Sequence, residues 1–432
     1  MVAIPTKPPA KVSLKSMTCC VVDQGLFCEL AVKLAESYGK VYYWVPSYSG
    51  FKKITKAMIG YGMPGIELID DIFQVPIDEV DIYIFPDVYF GWLQTHLRSL
   101  GKLVWGAGQG EKMELDRGWM KDEMKKLGLP VGPWARVKGM DALRKYLKEN
   151  KDQYVKVSEF RGVTETFHAP HYQYVEPKLN ELEHELGPLG DITEFIVEAS
   201  LPDKIEMGID AYTVDGLYPD HILAGLEIKD VGYAGIFKAM AQFPAPLINF
   251  NAKIAPMLKS FGYRGPMSTE VRFGKPDKTM GYMVDFCARQ ASPPSELYME
   301  FYENLAMIQY MGAAGTMVQP KPIAKYGAQA LIHSSWSSTH FQPIDIPAEY
   351  KGYVKLKNPC LIDGKYYTIP QNDDLVQCGA VIGFGDTLED AFEMVREIAK
   401  SVKGHYIDIK TDSFEDVEKV IEEADSYGIR IF

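Results

Sequence analysis

Toward the C-terminal side of the chain, the stretch Met283–Glu296, MVDFCARQASPPSE, sets Asp285, Cys287 and Arg289 at alternate positions before a Pro-Pro break. Alternate side chains of a strand share one face, so a carboxylate, a thiol and a guanidinium line up together. The runs STEVRF and GYMVDF flank GKPDKTM and predict a hairpin with a Gly/Pro/Asp turn. If Phe273 faces Tyr282, then Glu270 faces Asp285. Two opposed carboxylates repel unless a cation lies between them. Their hard oxygens suit Mg²⁺, which takes one or two carboxylates and completes its shell with nucleotide phosphates and water. Arg289, further along the face, is then placed to grip a phosphoryl or carboxylate group. The same spacing also fits an exposed hairpin with solvated charges, and these residues alone do not choose between the two.

Other motifs carry less chemistry. GAGQGEK, Gly106 to Lys112, lacks both the Walker pattern and the third glycine of GxGxxG, and predicts a strand-to-helix loop. His168 and His171 in HAPHY have no third ligand in sequence and read as a surface pair. His333 and His340 in IHSSWSSTH lack an identifiable acidic orienter.

The elements that must position these groups follow from the apolar pattern. MTCCVVD, KVYYWVPS, VDIYIFPD and KLVWGA alternate with helical segments such as LFCELAVKLAESYG and predict a parallel sheet over residues ~15 to 107. LDRGWMKDEMKKLGLP follows as an amphipathic helix closed by Gly128 and Pro130. From Tyr154 the runs QYVKVS, ITEFIVEAS, EMGIDAYTVDG, HILAGLEIKD, MSTEVRF and GYMVDF predict an antiparallel region. A long apolar helix, ELYMEFYENLAMIQYMG, leads to a proline-marked boundary at QPKPIAKYG. A strand, helix, strand, helix tail ends the chain.

The 432 residues suffice for two or three domains, and 47% hydrophobic with 24% charged residues is an ordinary globular composition. A formal charge of -12 argues against a broad nucleic-acid footprint, which needs clustered Lys and Arg. Six cysteines without paired CxxC spacing suggest neither a zinc site nor a disulfide framework and fit a reducing cytoplasm. No 18-residue apolar run occurs, so neither a membrane span nor a signal peptide is expected.

The order of features resembles the ATP-grasp superfamily, particularly glycinamide ribonucleotide synthetase and, more distantly, biotin carboxylase. The matching order is the DR...K helix, the YVKV strand, the IVEASL hinge followed by Glu206, the carboxylate pair, and the FGDTLEDAFEMV element. The resemblance implies a multidomain α/β and α+β fold. It comprises an N-terminal parallel α/β domain over residues 1–110, an ATP-grasp domain with a flap over 111–318, and a C-terminal α+β domain over 319–432.

The resemblance also implies roles. Lys156, alone on one face of its strand, and Arg117, where relatives carry a lysine, would contact ATP phosphates; a surface lysine is the alternative for Lys156. Arg161 in the shortened flap SEFRGVTETF and Lys229 in GLEIKD would add phosphate contacts. Val197, Glu198, Ala199 and Leu201 would face adenine, and Glu206 the ribose, although an ordinary half-buried strand would show the same alternation. Glu270 and Asp285 match the metal ligands, Cys287 stands where relatives use Asn, and Arg289 matches the arginine near the reacting phosphoryl group. The implied cofactors are ATP with Mg²⁺ or Mn²⁺. The implied activity is a carboxylate–amine ligation through an acylphosphate, acting on small-molecule substrates with no membrane partner. A nucleotide-binding regulatory protein on the same fold and a glycinamide ribonucleotide synthetase proper are the alternatives. Against the latter, the glycine-rich turn that holds a phosphorylated amine is replaced by VDQGLFCEL, with Asp23, Gln24, Leu26 and Phe27 around a single glycine.

Overall fold

A computed structural model of the chain describes residues 12–46, 56–157, 166–201, 205–228, 231–274, 280–371 and 376–432. By internal contacts it divides into two compact units, residues 1–111 with 207–268 and 287–432, and residues 112–206 with 269–286.

In the first unit, the apolar runs of the N-terminal region form five parallel strands in the order Glu67–Leu68, Lys40–Trp44, Thr18–Val22, Ile82–Ile84, Leu103–Trp105. Apart from the exposed edge pair Glu67–Leu68, these strands are largely buried on both faces, as continuous apolar runs in parallel sheets require. Cys19, Val21 and Ile84 pack into one core and Cys20, Val22, Tyr83 and Val104 into another. The strands His221–Ile228 and Gly232–Ala239 pair antiparallel, and the latter pairs with Tyr326–Ser334, which pairs in turn with Val376–Gly385. Strands on both sides of residue 319 are thus hydrogen-bonded in one sheet. Helix Leu388–Ser401 begins with a reciprocal capping box between Thr387 and Asp390.

One expectation is corrected here. The apolar run ELYMEFYENLAMIQYMG is two helices, Ser295–Phe301 and Leu305–Ala313. Tyr302 is extended and bridges Pro322, Glu303 N–H donates to the Lys321 carbonyl, and the Asn304 side chain accepts from Lys321 N–H. Backbone pairing with the 319–322 segment replaces the helical hydrogen bonds at the break.

The second unit is built on a four-stranded sheet in the order Trp134–Lys138, Glu194–Ala199, Gln153–Val157, Thr166–Ala169. Val155, Val157, Phe195 and Val197 turn one face onto helices Met140–Glu149 and Tyr172–Leu186, packing with Leu143, Leu147 and Leu179. The period of two then sends Tyr154, Lys156, Ile196 and Glu198 to the other face. Helix Arg117–Lys126 starts at the Asp116 cap, which accepts from Trp119 N–H at 3.0 Å, and stops where Gly128 adopts φ +64.

Candidate functional site

The polar face of the second unit's sheet carries the site. Glu198 lies opposite Tyr154 in the antiparallel ladder, so Lys156, two residues along, is its diagonal neighbour on the same face. The Lys156 ammonium sits 2.7 Å from Asp285 Oδ2 and 3.1 Å from Glu198 Oε1. Arg117 Nε approaches Asp285 Oδ1 at 3.8 Å and its guanidinium donates to the Val157 carbonyl at 3.1 Å. A third cation, Lys121, donates to Glu198 Oε2 and to the Val284 carbonyl, each at 2.8 Å.

Lys156 and Lys121 are almost fully buried, whereas the Asp285 side chain keeps 25% of its surface exposed. Three cations against two carboxylates leave these five residues one net positive charge, in a place where water screens little. Burial alone would raise the Asp285 carboxyl, but Lys156 and then Arg117 and Lys121 outweigh it and hold it well below the usual carboxylate range. Burial likewise works against the Lys156 ammonium, and Asp285 and Glu198 more than compensate, raising it above the ordinary lysine value. The cluster therefore holds Asp285, Glu198 and Lys156 ionised at neutral pH. It can exchange one of its internal partners for an outside anion and offer the released carboxylate oxygen to a cation.

Arg117, Lys156, Glu198 and Asp285 are thus brought together from four segments. Val197 is buried on the helix-facing side, with Ala199 and Leu201 half-buried at the strand's end. Glu206 is ion-paired with Arg272, which donates both Nε and a terminal nitrogen to Oε2. Glu270 lies in strand Arg264–Gly274, which neighbours Met280–Cys287 in the sheet. Arg161 with most of the flap, Lys229, and the hairpin turn at 275–279 lie outside the described residues. Cys287 is a half-buried thiol that forms no disulfide. Along 285–290 the burial alternates, with Phe286, Ala288 and Gln290 buried and Asp285, Cys287 and Arg289 half-buried. In the first unit, Arg289 Nε stands 3.9 Å from Asp87 Oδ1.

Sequence reasoning missed Lys121 and Arg272. Lys121 had a signal, since it is four residues after Arg117 and so shares its helix face. Arg272 had one too, two residues after Glu270 on the same strand face.

Among the described residues, no group of three or more His, Cys, Asp or Glu side chains could hold a metal by itself. The donors fit an ion that brings phosphate and water oxygens with it, as Mg²⁺ does: Asp285 is a hard, ionised, partly exposed carboxylate.

No family model matches the chain, and no curated protein matches it. Solved structures do. Phosphoribosylamine–glycine ligase from Thermotoga maritima superposes with a TM-score of 0.67 at 15% identity, over 92% of this chain and 100% of the other. The biotin carboxylase domain of 2-oxoglutarate carboxylase from Hydrogenobacter thermophilus, solved with MgADP and bicarbonate, gives 0.63 at 12%, over 95% and 98%. N5-carboxyaminoimidazole synthetase from Staphylococcus aureus, complexed with ADP, gives 0.59 at 12%, over 89% and 98%. The chain has the ATP-grasp fold. At these identities the likeness concerns the fold, over nearly the whole chain. No described helix is long and apolar enough to cross a membrane.

Proposed function

We propose that the chain is an ATP-dependent carboxylate–amine ligase. The observation that carries this reading is the cluster of Arg117, Lys121, Lys156, Glu198 and Asp285, with both lysines buried, on an ATP-grasp fold. In this reading Lys156 and Arg117 turn to the β- and γ-phosphates, where a point charge and a planar fork offset crowded anionic oxygens. Lys121 stays behind as a tie between helix, hinge strand and hairpin. The backbone at Ala199 and Leu201, following Val197 and Glu198, receives adenine and Glu206 the ribose, with Arg161 and Lys229 as further phosphate contacts.

Asp285, with Glu270 from the adjoining strand, would hold Mg²⁺, which supplies charge neutralisation to the phosphoryl oxygens. Arg289 grips the reacting carboxylate or phosphoryl group. A carboxylate oxygen attacks the γ-phosphorus and the β–γ bridging P–O bond breaks, releasing ADP and leaving an acylphosphate. An amine nitrogen then attacks the acyl carbon; the C–O bond to phosphate breaks, and the nitrogen loses a proton as phosphate departs. The protein's contribution is positioning and charge, since its side chains form no covalent bond in this scheme. The domain division at 110/111 and 318/319 and a cytoplasmic location belong to the same proposal.

The test is calorimetric titration with MgADP, followed by a screen of amino acids against amines with ADP release as readout and mass spectrometry of the product. Nucleotide binding without acceptor-dependent ADP release would favour the regulatory reading. No MgADP binding would remove both.

A further inference from the structure

The five parallel strands of the first unit wind outward in both directions from Thr18–Val22, first through Lys40–Trp44 and then through Ile82–Ile84. That reversal is the place where open α/β sheets hold ligands, outside the carboxyl ends of the strands. The loop after Thr18–Val22 leads into helix Cys28–Ala35, and its backbone N–H groups would be the donors for an anion such as phosphate.

Two of those donors, the Gly25 and Phe27 amides, are already used. Asp23, the first residue after the strand, is fully buried and folds its carboxyl group back over the loop. Oδ1 accepts from Gly25 N–H, and Oδ2 accepts from Phe27 N–H at 2.8 Å and the Tyr43 hydroxyl at 3.1 Å. The space above is closed as well. Gly25 has φ +107, and a Cβ there would lie 2.6 Å from both Asn358 Oδ1 and Ile59 Cδ1. Asn358 N–H also donates to the Gly25 carbonyl at 3.2 Å.

We propose that Asp23 is a specificity residue: its carboxyl group replaces a substrate phosphate as the occupant of the loop amides, so the amine substrate is unphosphorylated. This rests on the ligase reading and names the substrate class for it. Two oxygens that already accept three hydrogen bonds leave the Gly25 and Phe27 amides no capacity for an incoming oxyanion.

The experiment uses the full-length chain with ribose 5-phosphate as the probe, and MgADP titrated separately. Wild type should bind MgADP but show no saturable ribose 5-phosphate binding tighter than about 1 mM, and the Asp23→Gly variant should gain at least roughly tenfold in ribose 5-phosphate affinity. In amide NMR spectra of wild type, the Gly25 and Phe27 resonances should not move on addition of ribose 5-phosphate. Asp23→Asn keeps an oxygen acceptor over the loop and should stay near wild type, which serves if the glycine variant does not fold. Ribose 5-phosphate binding to wild type with shifts at Gly25 and Phe27, or a folded Asp23→Gly that gains nothing, overturns the proposal. Loss of MgADP binding alone would instead strike the ligase reading.

Discussion

Replacing Asp285 by Asn removes the anion shared by Lys156 and Arg117 while keeping the side chain's shape. The Lys156–Asp285 contact of 2.7 Å corresponds to a gross attraction of about 6 kcal/mol at an effective dielectric near 20. Desolvation cancels much of that, and breaking a buried pair costs about 3–5 kcal/mol net. Here the lower end applies, because Asp285 is a quarter exposed and Lys156 keeps Glu198 at 3.1 Å. Unliganded Asp285→Asn should therefore unfold in urea with about 3 kcal/mol less stability. Its nucleotide behaviour should change in a specific direction. In wild type, a phosphate must draw Lys156 away from Asp285, and the stranded carboxylate then needs a cation. In the variant neither condition holds. Metal-free ATP, titrated calorimetrically in EDTA, should bind roughly tenfold tighter than to wild type, and adding Mg²⁺ should give little further gain. If Mg²⁺ strengthens ATP binding to the variant as much as to wild type, Asp285 is not the metal-linked carboxylate.

Lys156→Ala should weaken ATP more than adenosine, since its ammonium lies in the charged cluster; calorimetry giving equal losses would point to a folding defect. Lys121→Met should lower the unfolding free energy measured in urea by the amount expected for a broken buried pair, about 3 kcal/mol, because Glu198 Oε2 and the Val284 carbonyl lose their donor. Adding Glu198→Gln should restore part of it, and strict additivity in this double-mutant cycle would deny the coupling. Burial raises Asp23 from 3.8 to about 7, against the opposing amide and Tyr43 hydrogen bonds. The folded state thus keeps a proton that the unfolded chain has lost, so this contribution to stability should fall as pH rises from about 4 to 7 and stay level above. Chemical denaturation of Asp23→Asn across that window should show a flatter slope than wild type. Asp285 and Glu198, both held low, act in the opposite sense: their stabilisation is present above the ordinary carboxylate range and disappears as pH falls below it.

Local pattern determined a good deal. Strand Gln153–Val157 is visible because its apolar residues alternate, and Thr18–Val22 because a short continuous apolar run marks a strand buried on both faces. The Thr387–Asp390 box marks a helix start because both partners lie within one turn. That Lys156 lies on the strand face opposite Val155 and Val157 could be read from the alternation alone. Tertiary structure alone decided what each charge meets. Lys156 and Asp285 are 129 residues apart, and nothing in either neighbourhood specifies 2.7 Å between them. The expected helix broke at Tyr302 because a distant segment, Gln319 to Pro322, offered better backbone partners than the next turn. Asp23 lies beside its loop in sequence, yet whether it faces a ligand or turns inward depends on Tyr43 donating to it and on Ile59 and Asn358 closing over Gly25. Periodicity encodes which side of an element is buried, whereas an ionised or hydrogen-bonding group takes its partner from whatever the fold brings within about 3 Å.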